Sequence, residues 1–281
     1  MTPGPVRFTL VTPCRNAERF IGDTIESILG QTALRTGRAT LEYLVCDGAS
    51  ADGTLDLVRS YASPHIAVTS QKDSGMYEAL ARGLRSARGD WIGYANAGDV
   101  LARTAFDAIL DAMEDHDARW ITGIATESNE AGELFSFNLP FRYRRSLIRA
   151  GQYARRAPCF LPWIQQESTF WRRSLHETLD WDRLASFKLA GDAYLWTRFA
   201  REAELTIVAA HLGGFRRHAG QLSEDMSGYL SELDTFAERP PLYALPVALV
   251  DNLLWYAPPA LKKAFNPRGM IAFDRRTRSW R

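Results

Sequence analysis

Apolar and polar positions alternate between two periods along the first half of the chain. Val6–Thr12 is a continuous apolar and β-branched run of strand length. Phe20, Ile21, Thr24, Ile25, Ile28 and Leu29 then recur at helical spacing. Leu41–Cys46 predicts a second strand, Leu55, Leu57, Val58 and Tyr61 a second helix, and Ile66–Ser70 a third strand. The stretch Lys72–Val100 is the most regular. Met76, Ala79, Leu80, Gly83, Leu84 and Ala87 keep one apolar helical face together, and Gly89-Asp90 breaks it. Trp91–Ala95 then reads as a strand that ends at Asn96-Ala97-Gly98-Asp99. A helix around Phe106, Ile109, Leu110 and Met113 and a strand at Trp120–Thr126 complete the series. This alternation predicts the α/β class, a Rossmann-like, mostly parallel central sheet with helices on both faces.

In such sheets ligands bind at the carboxyl ends of the strands, and a strand delivering a lone carboxylate such as Asp99 to a glycine-loosened turn suits that edge. The first strand runs into Thr12-Pro13-Cys14-Arg15-Asn16, which has no glycine. That excludes a dinucleotide pyrophosphate seated on the next helix amino terminus. The acidic and polar residues at later strand ends instead suit a nucleotide held by side chains, its phosphates reached through a metal ion.

Composition narrows the classes further. The 281 residues are 46% hydrophobic, enough for one large or two small cores. Basic and acidic residues nearly balance, 34 against 33, which argues against nucleic acid as a partner. Cys14, Cys46 and Cys159 are far apart and odd in number, as expected in a reducing compartment without a disulfide frame or zinc site. MTPGPVRFTLVT lacks the apolar stretch of a secretion signal, so the expected address is cytoplasmic, with the inner membrane face as a variant.

The second half carries a different carboxylate. Leu195, Trp196 and Phe199 follow Asp192 by three, four and seven places, so Asp192 shares a helix face with the apolar stripe, near the amino terminus. An inward carboxylate needs a partner. It is either a helix cap or a general base aimed at a substrate.

Six segments, in order, resemble the inverting glycosyltransferases of family 2, which have the GT-A fold. They are TPCRNAERFIGDTIESILGQT, EYLVCDGASADGT, KDSGMYEALARGLRSARGDWIGYANAGD, QQESTFWRRSLHE, FKLAGDAYLWTRF and GGFRRHAGQLS, together covering roughly residues 6 to 223. The resemblance implies a nucleotide-diphosphate-sugar donor and a saccharide or lipid-linked saccharide acceptor of surface polysaccharide or lipopolysaccharide synthesis. It implies a nucleoside contact at Asp47 and the catalytic base at Asp192. Asp47-Gly48 and Asp52-Gly53 also read as plain turns. Thr12, Pro13 and Asn16 are expected at the nucleotide, Asn16 being equally able to cap the next helix, with Lys72, Asp73, Gly75 and Asn96 beside the nucleotide-sugar. Asp99 is the expected ligand of Mn²⁺ or Mg²⁺, with the diphosphate supplying further oxygens, and His218 is a secondary candidate. Gln166, Glu167 and Arg216 are expected at the acceptor or phosphates, and Phe170-Trp171 either lines that cleft or packs in the core. An ordinary Asp is ionised at neutral pH, so no unusual pKa is required of Asp192.

The sequence departs from the family pattern at Glu78 and Ala81, where Asp and Asn are usual, and at Asn96 and Gly98, where an acidic run is common. Those departures keep open a non-catalytic sugar-binding module. A nucleotidyltransferase would want a glycine-rich basic loop after the first strand, which is absent.

The expected organisation is a nucleotide-sugar half (1–126), an acceptor half of the same domain (127–223) and a helical C-terminal extension (224–281). Between Arg142 and Arg156 six arginines occur with no acidic residue, interleaved with Tyr143, Leu147, Ile148 and Tyr153. This reads as a lid, a grip on an anionic acceptor or a contact with acidic lipid. The tail Leu242–Leu261 is apolar but cut by Pro246, Asp251, Asn252, Pro258 and Pro259, so it does not span a bilayer. It is expected to pack on the enzyme, pair with another copy as a homodimer, or lie on the membrane as a peripheral contact.

Overall fold

The structure is a computed structural model that describes residues 4–155 and 161–281. Arg156 and Cys159 therefore lie outside the described residues. Fourteen strands are assigned: β1 Val6–Cys14, β2 Ala39–Asp47, β3 Ile66–Ser70, β4 Trp91–Tyr94, β5 Val100–Leu101, β6 Trp120–Thr122, β7 Ala125–Ser128, β8 Leu134–Asn138, β9 Thr169–Arg172, β10 Leu205–Val208, β11 Gly213–Arg216, β12 Met270–Ile271, β13 Phe273–Asp274 and β14 Ser279–Trp280. The α-helices are α1 Ile21–Leu29, α2 Thr32–Arg35, α3 Thr54–Ser60, α4 Met76–Ser86, α5 Ala105–Ala112, α6 Arg145–Arg149, α7 Trp181–Ser186, α8 Gly191–Glu202, α9 Met226–Leu233, α10 Ala244–Trp255 and α11 Pro259–Phe265.

The main sheet runs β12-β10-β6-β9-β4-β1-β2-β3. All neighbours are parallel except β9, which lies antiparallel between β4 and β6. The mostly parallel sheet is as expected, and its central strand β1 is buried from Phe8 onward. One face packs Phe8, stacked on Phe106 at 4.0 Å and edge-on to Phe170 at 6.4 Å. The other packs Trp120, Trp171, Trp196 and Phe199 against α4, α7 and α8. Phe170 and Trp171 are thus core residues, not a cleft lining.

The expected single strand Trp120–Thr126 is two strands in different sheets. The chain bends at Gly123, where a Cβ would come within 2.8 Å of the Ala210 carbonyl oxygen. It then enters a second sheet, β5-β11-β7-β8, which sits over the carboxyl end of the first. The three expected segments also share the main sheet: β9 and β10 come from the second and β12 from the third.

The arginine-rich segment is neither a free lid nor an open grip. Its counter-charges come from the C-terminal extension, far away in sequence. Arg144 forms a bidentate pair with buried Asp251 (2.5 and 2.7 Å), Arg149 pairs with Glu238 (3.0 Å), and Arg155 pairs with Asp234. Arg142 donates to Asn266 Oδ1 at 3.1 Å. The extension therefore packs on the enzyme through ion pairs and through Ala244 and Ala248.

Candidate functional site

Parallel register brings the ends of β1 and β2 side by side, with Cys14 opposite Asp47. The two following loops are laced together. Asn16 adopts φ +50° and accepts the Ala51 N–H at Oδ1 (2.9 Å), while its own N–H donates to Ser50 Oγ (2.8 Å). Glu18 accepts the Gly53 N–H at 3.0 Å. Asn16 does not cap a helix, because α1 begins only at Ile21.

Three expected nucleotide contacts are closed. The Thr12 hydroxyl points into the core, 3.0 Å from the Tyr43 hydroxyl. Pro13 is buried beneath the edge. Asp47 is fully buried and accepts from Ser70 Oγ (2.6 Å), the Ser50 N–H (3.0 Å) and the Ser50 hydroxyl. Burial alone would raise its pKa, but the hydrogen bonds from Ser50 and Ser70 outweigh that and hold it below the ordinary carboxylate value. Thr12 and Asp47 thus already have protein partners that shape the two loops.

Asp73 is the half-open carboxylate of this edge. Its Oδ1 accepts the Gly75 N–H at 3.2 Å, and Oδ2 would lie 2.7 Å from a Cβ at Gly48, so the two loops touch only because residue 48 has no side chain. Burial raises the Asp73 pKa against the pull of Arg82 and Arg15. Gly75, at φ +152°, starts α4, and Lys188 reaches across to the Ser74 carbonyl. Lys72 is exposed. Glu78 is turned back to accept the Ser74 N–H (2.7 Å), closing the first turn of α4.

Sequence reasoning passed over Arg82. Its three side-chain nitrogens are buried and have no hydrogen-bond acceptor among the described residues. The guanidinium lies close enough to Cys46 and Asp73 to act electrostatically on both. A guanidinium carries five donors and no acceptor, so an enclosed, unpartnered one favours a ligand oxygen or anion. Only the fold identifies it, since nothing in the sequence separates it from Arg85 on the same helix or from Arg88 just after it.

The second polar centre lies after β4. Thr24 pins the turn, accepting the Gly98 N–H and donating to the Asp99 carbonyl, both at 2.8 Å. Asp99 Oδ1 accepts the backbone N–H of Arg216 at 3.1 Å. Among the described residues Asp99 Oδ2, Asn96 Oδ1 and Glu167 Oε1 are buried oxygens with no hydrogen-bond donor at full hydrogen-bonding geometry, although Gln166 is close enough to Asp99 to lower its pKa. Burial lifts Asp99 to about 7, and burial followed by the Asp99 charge lifts Glu167 well above its usual value. Among the described residues no three acidic, His or Cys side chains converge. These oxygens therefore fit a hard cation as a partial set, with further ligands required from a bound molecule.

Arg216 is buried and donates to Asp23 (2.6 Å), so its guanidinium is already paired and is not an open phosphate grip. His218 stacks on Phe20 at 4.9 Å and lines an open polar cleft of about 590 Å³ with Arg217, Gln221 and Glu224. Gln166 accepts the Tyr94 hydroxyl at 2.7 Å.

Asp192 stands in the first turn of α8, but Ala190 occupies the cap position. Glu232 of α9 holds the two residues that precede the helix, its Oε2 accepting the N–H groups of Leu189 (2.9 Å) and Ala190 (2.8 Å). Asp192 Oδ1 instead accepts the Tyr229 hydroxyl at 3.0 Å, with the Tyr77 hydroxyl 3.4 Å away and nearer the Leu189 carbonyl at 3.0 Å. A Cβ at Gly191 would lie 2.3 Å from the Tyr77 ring, so the glycine admits that ring. Burial pushes the Asp192 pKa up to about 6 against these hydrogen bonds, which corrects the expectation of an ordinary carboxyl.

Beside Asp192 is a small cavity of about 20 Å³, walled by Tyr153, Trp163, Ile164, Trp196 and Tyr229. Asp99 does not line it. The two carboxylates meet through Glu167, which feels the charges of both Asp99 and Asp192. Tyr77, Tyr229 and Glu232 carried no sequence signal.

The glycosyl transferase family 2 model matches residues 9–179, more than half of the chain. Chondroitin synthase of Escherichia coli is 29% identical over 147 residues, 50% of this chain and 21% of that protein. The minor teichoic acid biosynthesis protein GgaB of Bacillus subtilis is 24% identical over 112 residues, 39% of this chain and 12% of that protein. The chain thus spans a minor part of the relatives it matches. S. aureus TarS 1-349, solved with UDP-GlcNAc, superposes with a TM-score of 0.60 over 92% of this chain and 69% of that one, at 15% identity. The mannosyltransferase PcManGT of Pyrobaculum calidifontis, solved with GDP-Man and Mn²⁺, gives 0.53 over 95% and 80%, at 19% identity. With the GT-A arrangement of sheet and strand-end loops, these matches show that the chain belongs to glycosyl transferase family 2.

Proposed function

We propose that this glycosyltransferase moves a sugar from a nucleotide-diphosphate donor to a hydroxyl acceptor with inversion, Asp192 acting as general base. The observation that carries this is the state of Asp192: a carboxyl in the first turn of α8, hydrogen-bonded to Tyr229 at 3.0 Å and raised to about 6 by burial. A base with a pKa just below the working pH is ionised yet accepts a proton readily. Tyr229 orients one oxygen, which leaves the other for the acceptor hydroxyl as that hydroxyl attacks the anomeric carbon from the side opposite the leaving diphosphate.

Asp99 and Asn96, with Glu167 behind them, are the residues that would hold Mn²⁺ or Mg²⁺. Such a cation, when bound, supplies charge neutralisation for the departing diphosphate. Incubation with a panel of nucleotide sugars and Mn²⁺ is expected to release free nucleoside diphosphate slowly from one of them. Excess chelator is expected to abolish that release; full turnover in chelator would remove the metal from the scheme. Binding of nucleotide without turnover of any donor would instead support a non-catalytic module, which the closure of Thr12 and Asp47 makes the second reading.

The donor's base is read by Arg82, whose buried donors suit the keto oxygens of uracil, thymine or guanine. Arg82→Met is expected to weaken nucleoside diphosphate binding about 10- to 100-fold, as for loss of a hydrogen bond to a charged group. Unchanged affinity by calorimetry would dismiss this role. The acceptor class follows the relatives, namely glycans of surface polysaccharide synthesis.

A further inference from the structure

Helix α10 is turned inside out for a surface helix. It buries Ala244, Ala248 and the charged Asp251, the last paired with Arg144, and shows its large apolar residues to solvent. Leu245, Leu249 and Leu253 recur at four-residue steps along one stripe of the helix, with Leu242 exposed before it and Tyr256 after it, Leu253 being 75% and Tyr256 80% exposed. Phe265 of α11 is also exposed. Strand β8 adds Phe135 and Phe137, joined to the same helices by Trp255 donating to Asn138 Oδ1 and by Lys262 donating to the Leu139 carbonyl. A patch of this size on a protein surface marks an interaction site.

We propose that this face docks on a membrane bearing anionic lipid. Charge selects that occupant. From Arg239 to Phe273 the only carboxylate is Asp251, which is buried and paired, whereas Arg239 and Arg268 are exposed at the two ends of the apolar stretch. A second copy packed by two-fold symmetry would bring the same cations to the same interface. A lipid surface offers anionic headgroups at the rim and hydrocarbon for the leucines. At 12 residues α10 is about 18 Å long. Among the described residues no helix is long and apolar enough to cross a membrane, so the helix lies on the bilayer. The surface stands on the packing of α10 and does not depend on the reaction proposed above.

Flotation of the full chain with phosphatidylcholine vesicles, with and without phosphatidylglycerol, tests it. Binding is expected to the anionic vesicles and to weaken with salt. Leu249→Ser/Leu253→Ser, at exposed positions, is expected to keep the melting temperature and to lower vesicle binding about 100-fold, roughly tenfold per leucine. Three results would overturn the proposal. One is no flotation with either lipid. Another is equal binding by the double variant or to neutral vesicles. The third is sedimentation showing a wild-type dimer that the double variant converts to monomer.

Discussion

Asp192→Asn is expected to lower kcat by about 10²- to 10⁴-fold, the range that a positioned general base supplies. Nucleoside diphosphate affinity should stay unchanged, because the carboxyl acts on the acceptor hydroxyl and not on the nucleotide. The same substitution should raise stability at neutral pH, and the sign follows from the pKa. In the unfolded chain the carboxyl titrates near ~3.9; in the fold burial moves it to about 6. Between those values the folded state keeps a proton that the unfolded chain has lost. Stability therefore falls as pH rises from about 4 to about 6 and stays lower above that. Removing the charge recovers roughly 1–3 kcal/mol at pH 7.5, by the worth of a pKa shift discounted for partial exposure. In wild type, log kcat/KM should drop with unit slope below about pH 6. A variant with most of its turnover, or a pH profile flat down to 5, would remove Asp192 from the chemistry.

Arg144→Met is expected to destabilise the enzyme by about 3–5 kcal/mol, the usual result of stripping a buried charge of its partner. Asp251 is 2% exposed, and its two oxygens receive Arg144 Nε and Nη2 at 2.5 and 2.7 Å. The double variant Arg144→Met/Asp251→Leu should recover most of the loss, since apolar residues of similar volume replace a buried pair at little cost. Urea unfolding of the two single variants and the double variant closes the cycle. Equal losses in Arg144→Met and the double variant would mean that the arginine stem, not its charge, holds α10. The pair also joins the extension to the start of α6, and Ile148 of that helix lines the cavity at Asp192. Arg144→Met should therefore raise KM for the acceptor more than for the donor.

The stretch Lys72–Val100 shows how much was legible along the chain. Its apolar spacing predicted α4 and β4, because helix and strand periods are set within a window of a few residues. The same reasoning set Asp192 on the inner face of α8. It failed at Trp120–Thr126, where the run is continuous in composition but crosses between two sheets at Gly123. It also failed at Asp47 and Thr12, which are polar residues at strand ends in the sequence and satisfied interior groups in the fold. The arginines from Arg142 onward show no partner in their own segment because their carboxylates lie beyond helical spacing; Asp251 is 107 positions from Arg144.

By itself the sequence determined the alternation of strands and helices, the polar edge where the strands end, and the family. Only the tertiary structure decided which of the polar side chains remain open. Glu232 ties down the residues before α8, Tyr229 orients Asp192, and the Arg82 nitrogens are buried beside Cys46 and Asp73. The reason is physical. Period and turn chemistry act between near neighbours, whereas burial and hydrogen-bond partnership are properties of groups that meet only after the sheet has assembled.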